Sequence, residues 1–120
     1  MTIRKDRPQH LEGQTTEVAT YHGNLYVIVN WNNHNGLPFE IFALLGKAGS
    51  CDRAYLEAIT RLCSLCLQHD IHPREIVKQL SNISCHPYLV ENGEKGNSSP
   101  VDAVAKVLGN SYEEKGKQDE

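Results

Sequence analysis

The chain lacks the local signatures that announce an enzyme. It has no GxSxG, no HExxH and no Walker A pattern: Gly46-Lys47-Ala48-Gly49-Ser50 has the glycines but not the GK[ST] ending. No apolar run approaches the roughly 20 residues of a membrane span. Met1-Thr2-Ile3-Arg4-Lys5-Asp6-Arg7 has no apolar signal-peptide core, so a cytoplasmic location and no membrane partner are expected. Charge of one sign is not in excess either. Twelve Lys and Arg against fifteen Asp and Glu give a net charge of -3, which disfavours DNA as a partner. In that compartment the four cysteines are expected to stay reduced, and 120 residues suffice for one domain whose core needs no disulfide.

What is present centres on residues 39–69. Phe39, Ile41, Ala43 and Leu45 alternate with Glu40, Phe42 and Leu44, and after Ser50 the apolar period changes to about 3.6. A strand therefore feeds a helix through a glycine-rich turn. The first amides of such a helix lack intrahelical partners and the peptide dipoles align behind them, so the turn suits an anion, with Lys47 adding a full charge. The competing reading is that Gly46 and Gly49 only permit a tight connection.

The chain before this segment reads as an arm over 1–14, a strand over Thr15–Tyr21, a His22-Gly23-Asn24 turn and a strand over Leu25–Val29. Both faces of the latter carry apolar groups, so it is expected to be central or covered on both sides. Asn30 to Gly36 is a polar hairpin loop, with Asn35-Gly36 suited to left-handed backbone angles. Trp31 stands at its entrance, either capping the sheet or offering a ring for stacking.

The helix from Cys51 to about His69 carries a polar stripe of Arg53, Glu57, Arg61, Ser64 and Gln68, with Glu57 and Arg61 spaced as an i, i+4 pair. Its opposite side, Tyr55, Ile59, Leu62, Cys63, Cys66 and Leu67, is expected to pack on the sheet. Cys63-Ser64-Leu65-Cys66 has CxxC spacing with His69 and His72 nearby, but it lies on that apolar face. Core packing is the preferred reading over metal or redox chemistry, and no metal or cofactor is assigned.

Pro73 opens a second helix ending at Leu80. Glu91 to Ser98 reads as a loop. Ser99-Pro100-Val101-Asp102 announces a third helix that Gly109 is placed to end, and 110–120 reads as a charged, disordered tail. Histidines 22, 34, 69, 72 and 86 fall in turns or loops with no nameable catalytic partner. The expected fold is α+β, an antiparallel sheet of about three strands packed by one long helix and two shorter ones, forming a single domain over 15–109.

An ordered series of residues resembles a known family. Arg7-Pro8, Leu11, Gly13, Thr15, Gly23-Asn24-Leu25-Tyr26-Val27, Gly36, Pro38-Phe39-Glu40-Ile41-Phe42 and Gly46-Lys47-Ala48-Gly49-Ser50 are similar to the TSCPD domain, and Arg61-Leu62, Leu65, Ile71, Ile76, Gln79-Leu80, Ile83 and Cys85 continue the match. That domain lies near the C-terminus of adenosylcobalamin-dependent and related ribonucleotide reductases, and also occurs as a small free-standing protein. The naming motif differs here: Asn97-Ser98-Ser99-Pro100-Val101-Asp102 has no cysteine before the proline and one extra residue before the aspartate. The resemblance implies no reductase activity by itself, since the chain cannot contain the radical-bearing barrel.

Two classes of function follow as expectations. The first is a non-catalytic binder of a nucleotide or related phosphorylated molecule, acting by sequestration or regulation of what could be a nucleotide signal. Gly46, Lys47, Ala48, Gly49 and Ser50 would meet the phosphate, with Arg53 or Arg61 nearby and Trp31 or Tyr26 on the base. The second is an interaction module: a detached accessory piece of a ribonucleotide reductase, or a DNA-contacting domain. Apolar Tyr26, Ile28, Phe42 and Leu44 on the sheet's second face suggest a homo-oligomer.

Overall fold

The computed structural model describes residues 3–46 and 50–118. Strands β1 (Gly13–Thr20), β2 (Gly23–Trp31) and β3 (Pro38–Leu45) form one antiparallel sheet in the order β1-β2-β3. Helix α1 (Cys51–Gln68) lies along β3, α2 (Pro73–Leu80) packs on α3 (Pro100–Gln118), and α3 crosses the sheet. The α+β class is as the sequence predicts.

Strand β1 starts two residues earlier than its β-branched run suggests and takes Gly13 and Gln14 from the arm. The β1–β2 turn is Tyr21-His22. Gly23 is the first residue of β2, in the positive-φ region (107°) where a side chain would be strained. In the β2–β3 loop it is Gly36 that takes positive φ (72°), while Asn35 stays in the ordinary region and its side chain accepts from the Leu37 N–H at 2.9 Å. The Asn92-Gly93 pair does adopt left-handed angles, 52° and 77°, and closes a short ribbon of β4 (Val90–Glu91) and β5 (Glu94–Lys95) where the sequence reading had only a loop.

The period-2 pattern sends Leu25, Val27, Val29 and Trp31 from β2, with Ile41, Ala43 and Leu45 from β3, into the core. Leu56, Cys63 and Leu67 of α1 and Ala103, Val104 and Leu108 of α3 meet them. Trp31 therefore belongs to the core at the far end of β2.

The orientation of α1 is a correction to the sequence reading. The buried stripe is Leu56, Thr60, Cys63, Leu67 and Gln68, while Tyr55 and Leu62 are 65% and 64% exposed. Cys63 and Leu67 are buried as expected, and Ile59 and Cys66 pack partly buried against the core, but the centre of the buried face is turned toward Leu56 and Thr60, which leaves Tyr55 and Leu62 outside. The cause is the open edge of β3. The Ser64 hydroxyl accepts from the Ile41 N–H at 2.9 Å and donates to the Ile41 carbonyl at 3.1 Å, so the polar stripe is drawn against the strand. Thr60 enters the core because its hydroxyl donates to Leu56 O at 2.9 Å.

Helix α3 begins with the predicted capping chemistry and ends later than predicted. Ser99 Oγ accepts from the Asp102 N–H at 3.0 Å. The helix then passes through Gly109, and the segment expected to be a disordered tail is helical to Gln118. Ser111 is buried and Tyr112 meets the His72 ring edge-on at 5.4 Å, which gives α3 a tertiary contact beyond the glycine.

Asp102 ties this helix to the preceding loop. Its side chain, 0% exposed, accepts from the Asn82 N–H (2.8 Å), the Ser98 N–H (3.0 Å) and the Lys106 ammonium (2.6 Å). Burial alone would raise its pKa, but these donors outweigh burial and hold it below the ordinary carboxylate value. Asp102→Ala leaves the buried Ser98 amide and the more exposed Asn82 amide without this partner and is expected to cost about 1–3 kcal/mol in urea unfolding. Because the folded pKa is depressed, this contribution is complete above about pH 4 and is lost as pH falls through the folded value. Acid unfolding of Asp102→Asn should lack that component.

Candidate functional site

Two clefts run along the seam of α1 with β3. The first, of about 430 Å³, is lined by Phe42, Ala43, Leu44, Ser50, Arg53, Ala54, Glu57, Thr60 and Arg61. Phe42 and Leu44 come from the outer sheet face, where Phe42 is 44% exposed, Ala43 lies between them on β3, Ser50 is the N-cap of α1, and the others come from the first three turns of that helix. Ser50 caps the helix, its hydroxyl accepting from the Arg53 N–H at 3.2 Å. Asp52 sits in the first turn as expected.

Arg53 and Arg61 form no ion pair among the described residues, and the expected Glu57–Arg61 pair is not made although both side chains line this cleft. Two permanent cations thus border one apolar-floored cleft.

The second cleft, of about 450 Å³, shares Arg61 and Phe42 and adds Arg4, Lys5, Asp6, Arg7, Glu40, Ser64 and Gln68. Here the N-terminal arm lies along the domain. Lys5 N–H donates to Gln68 O at 3.0 Å, Arg4 Nε donates to Gln68 Oε1 at 2.7 Å, and the Lys5 ammonium meets Asp70 at 2.9 Å. Arg7 grips Glu40 with Nε and Nη2 at 2.8 and 3.0 Å, and Asn30 Nδ2 adds a bond at 2.6 Å. Glu40 is only 3% exposed although it lies on the outer face, so the arm covers one end of that face. The hydrogen bond to Glu40 and its charge raise the Arg7 pKa.

Of the residues predicted to bind a ligand, Ser50, Arg53 and Arg61 meet at the first cleft. Gly46 is exposed beside it, its N–H donating to Asn24 O at 3.1 Å. Lys47, Ala48 and Gly49 lie outside the described residues. Tyr26 pairs across the sheet with Leu44 and so borders the cleft floor. Trp31 does not join them. Leu25 pairs with Leu45 at the turn end of β2, and Trp31 is six residues away, about 20 Å along the strand.

The CxxC pair follows the rotated helix. Cys63 is buried in the core, where desolvation, with a smaller effect of Cys66, pushes its thiol up to about 11. Such a thiol stays protonated at neutral pH. His72 accepts the Arg74 N–H at 3.1 Å through Nδ1 as the N-cap of α2, and burial with the Arg74 charge lowers its pKa. Sequence reasoning missed a different cluster, in which His22, Cys85 and His86 converge.

A family model described as the TSCPD domain matches residues 1–112, and the chain belongs to that family. No curated protein and no solved structure gives a significant match.

The Arg7–Glu40 pair gives a direct test of what shapes the second cleft. Arg7→Ala leaves a buried carboxylate with Asn30 as its remaining partner and should lower the urea midpoint. Adding Glu40→Gln to that variant should recover part of the loss, because the uncompensated charge is gone.

Proposed function

We propose that the protein is a non-catalytic binder of a nucleotide or related phosphorylated small molecule, acting by stoichiometric sequestration or regulation. The observation that carries this reading is the pair Arg53 and Arg61, without ion-pair partners, opening with the N-terminus of an 18-residue helix on one cleft with Phe42 and Leu44 as its floor. Guanidinium groups bind phosphate through paired, charge-assisted hydrogen bonds, and the helix terminus adds amides and a favourable dipole. An exposed phenyl ring beside them suits the flat face of a base. The cleft volume falls within the range of small-molecule sites. Lys47, which precedes the helix in sequence, would add a third cation.

Calorimetry against mononucleotides, dinucleotides and cyclic oligonucleotides tests the proposal. Binding should occur with at least one of them and weaken by about 100-fold or more in Arg53→Glu/Arg61→Glu, since each charge-assisted bond is worth about 1.5–3 kcal/mol and tenfold in affinity is about 1.4. Lys47→Glu should weaken it too while leaving the unfolding midpoint nearly unchanged. Absence of heat across the panel would defeat the reading.

A second reading rests on the outer sheet face, where Tyr26, Phe42 and Leu44 are exposed side by side. Such a patch suits protein contact, either a second copy of the chain or a ribonucleotide reductase subunit. Phe42→Asp should shift the sedimentation coefficient to that of a monomer if copies pair there, with folding checked by circular dichroism.

A further inference from the structure

We propose that His22, Cys85 and His86 form a binding site for zinc or a similar borderline-soft divalent cation, with three protein ligands and a fourth position open to water. His22 comes from the β1–β2 turn, while Cys85 and His86 come from the segment after α2. Their donor atoms all lie within 4.8 Å of one another. Cys85 Sγ is 3.2 Å from His22 Nε2 and 3.2 Å from His86 Nδ1. For Zn–S of about 2.3 Å and Zn–N of about 2.0 Å at tetrahedral angles, ligand sulfur and nitrogen stand about 3.6 Å apart. A cation therefore fits after small side-chain adjustments.

Three further features point the same way. First, the sulfur faces an imidazole nitrogen on either side at equal distance, with Ser98 O at 3.6 Å, so one soft donor and two nitrogen donors converge on a single point that a cation would engage at once. Second, His22 Nδ1 lies 2.9 Å from Asp52 Oδ2. A carboxylate there accepts a hydrogen bond from Nδ1–H, which leaves the Nε2 lone pair facing the sulfur and fixes the ring, as outer carboxylates do for metal-bound histidines. Third, the arrangement is held by the backbone: the N–H groups of Cys85 and His86 both donate to Ser98 O at 3.1 Å, and Tyr21 stacks on His86 with centroids 4.6 Å apart.

The mixed sulfur and nitrogen donor set selects zinc, cobalt or a comparable ion over magnesium or calcium, which prefer oxygen. On binding, the Cys85 thiol proton passes to solvent and the thiolate coordinates. The ion would join the first hairpin to the 81–99 segment. This site is separate from the cleft of Arg53 and Arg61 in its residues, so it stands or falls independently of nucleotide binding.

Untagged full-length protein, stripped with chelator and titrated with cobalt(II), should develop visible bands of a tetrahedral ion and a near-ultraviolet thiolate charge-transfer band, saturating at one ion per chain and bleached by zinc. Cys85→Ser should abolish the charge-transfer band, His22→Ala and His86→Ala should each weaken binding, and Asp52→Asn should weaken it by about 10- to 100-fold. Cys63→Ser and Cys66→Ser should leave the spectrum unchanged. Wild-type protein without a charge-transfer band, or a band that survives Cys85→Ser and vanishes in Cys63→Ser, would overturn the proposal.

Discussion

The unpaired edge of β3 decides the geometry of this domain. A three-stranded sheet has two edges, and every buried N–H and C=O on them needs a partner. Ser64 supplies both bonds to Ile41, which requires α1 to turn its polar stripe toward the strand. From that one requirement follow the burial of Leu56, Cys63 and Leu67, the exposure of Tyr55 and Leu62, and the position of Arg53 and Arg61 above the outer sheet face. The cleft is thus a by-product of backbone hydrogen bonding in the fold.

A second constraint organises the other side of the molecule. The segment from Ser81 to Ser99 contains little regular structure, so its position depends on polar anchors more than on packing. Asp102 supplies them by accepting from Asn82 and Ser98 at once, and the Ser98 carbonyl in turn holds the amides of Cys85 and His86. A first-turn residue of α3 thereby positions a thiol and an imidazole two links away. Because the anchor is a buried carboxylate with a cationic partner, its strength depends on ionisation, whereas the Ser64–Ile41 contact does not.

The sheet, its strand order and the helix starts were legible because they rest on local rules: alternation, Pro at N1, Ser at the cap. The face of α1 was legible in part. Cys63 and Leu67 were placed in the core, but the N-terminal half was assigned to Tyr55 where Leu56 is buried, and a hydrophobic count cannot register that Ser64 is needed by a strand 23 residues earlier. Gly109 illustrates the same limit, since its weak propensity yields to the contact of Tyr112 with His72 further along. The Asn92-Gly93 turn, by contrast, carried its signal in two residues and could have been read directly. Ser50, Arg53 and Arg61 were grouped correctly in space because they belong to one helix and its cap. Trp31 was misplaced because its strand length sets its distance, and the His22–Cys85 contact spans 63 residues of sequence.

The two sites differ in what the fold contributes to them. At the cleft the arginines are already without ion-pair partners, so a phosphate would not have to displace an existing ion pair. The Arg7–Glu40 pair nearby marks the contrast: its guanidinium is fully engaged, and a phosphate would have to compete with a carboxylate held in near-ideal bidentate geometry. Of the arginines lining the seam, Arg53 and Arg61 are therefore the ones at which the proposed anion would meet no existing ion pair among the described residues. That selectivity does not follow from the count of positive charges; it follows from which of them the fold has already used.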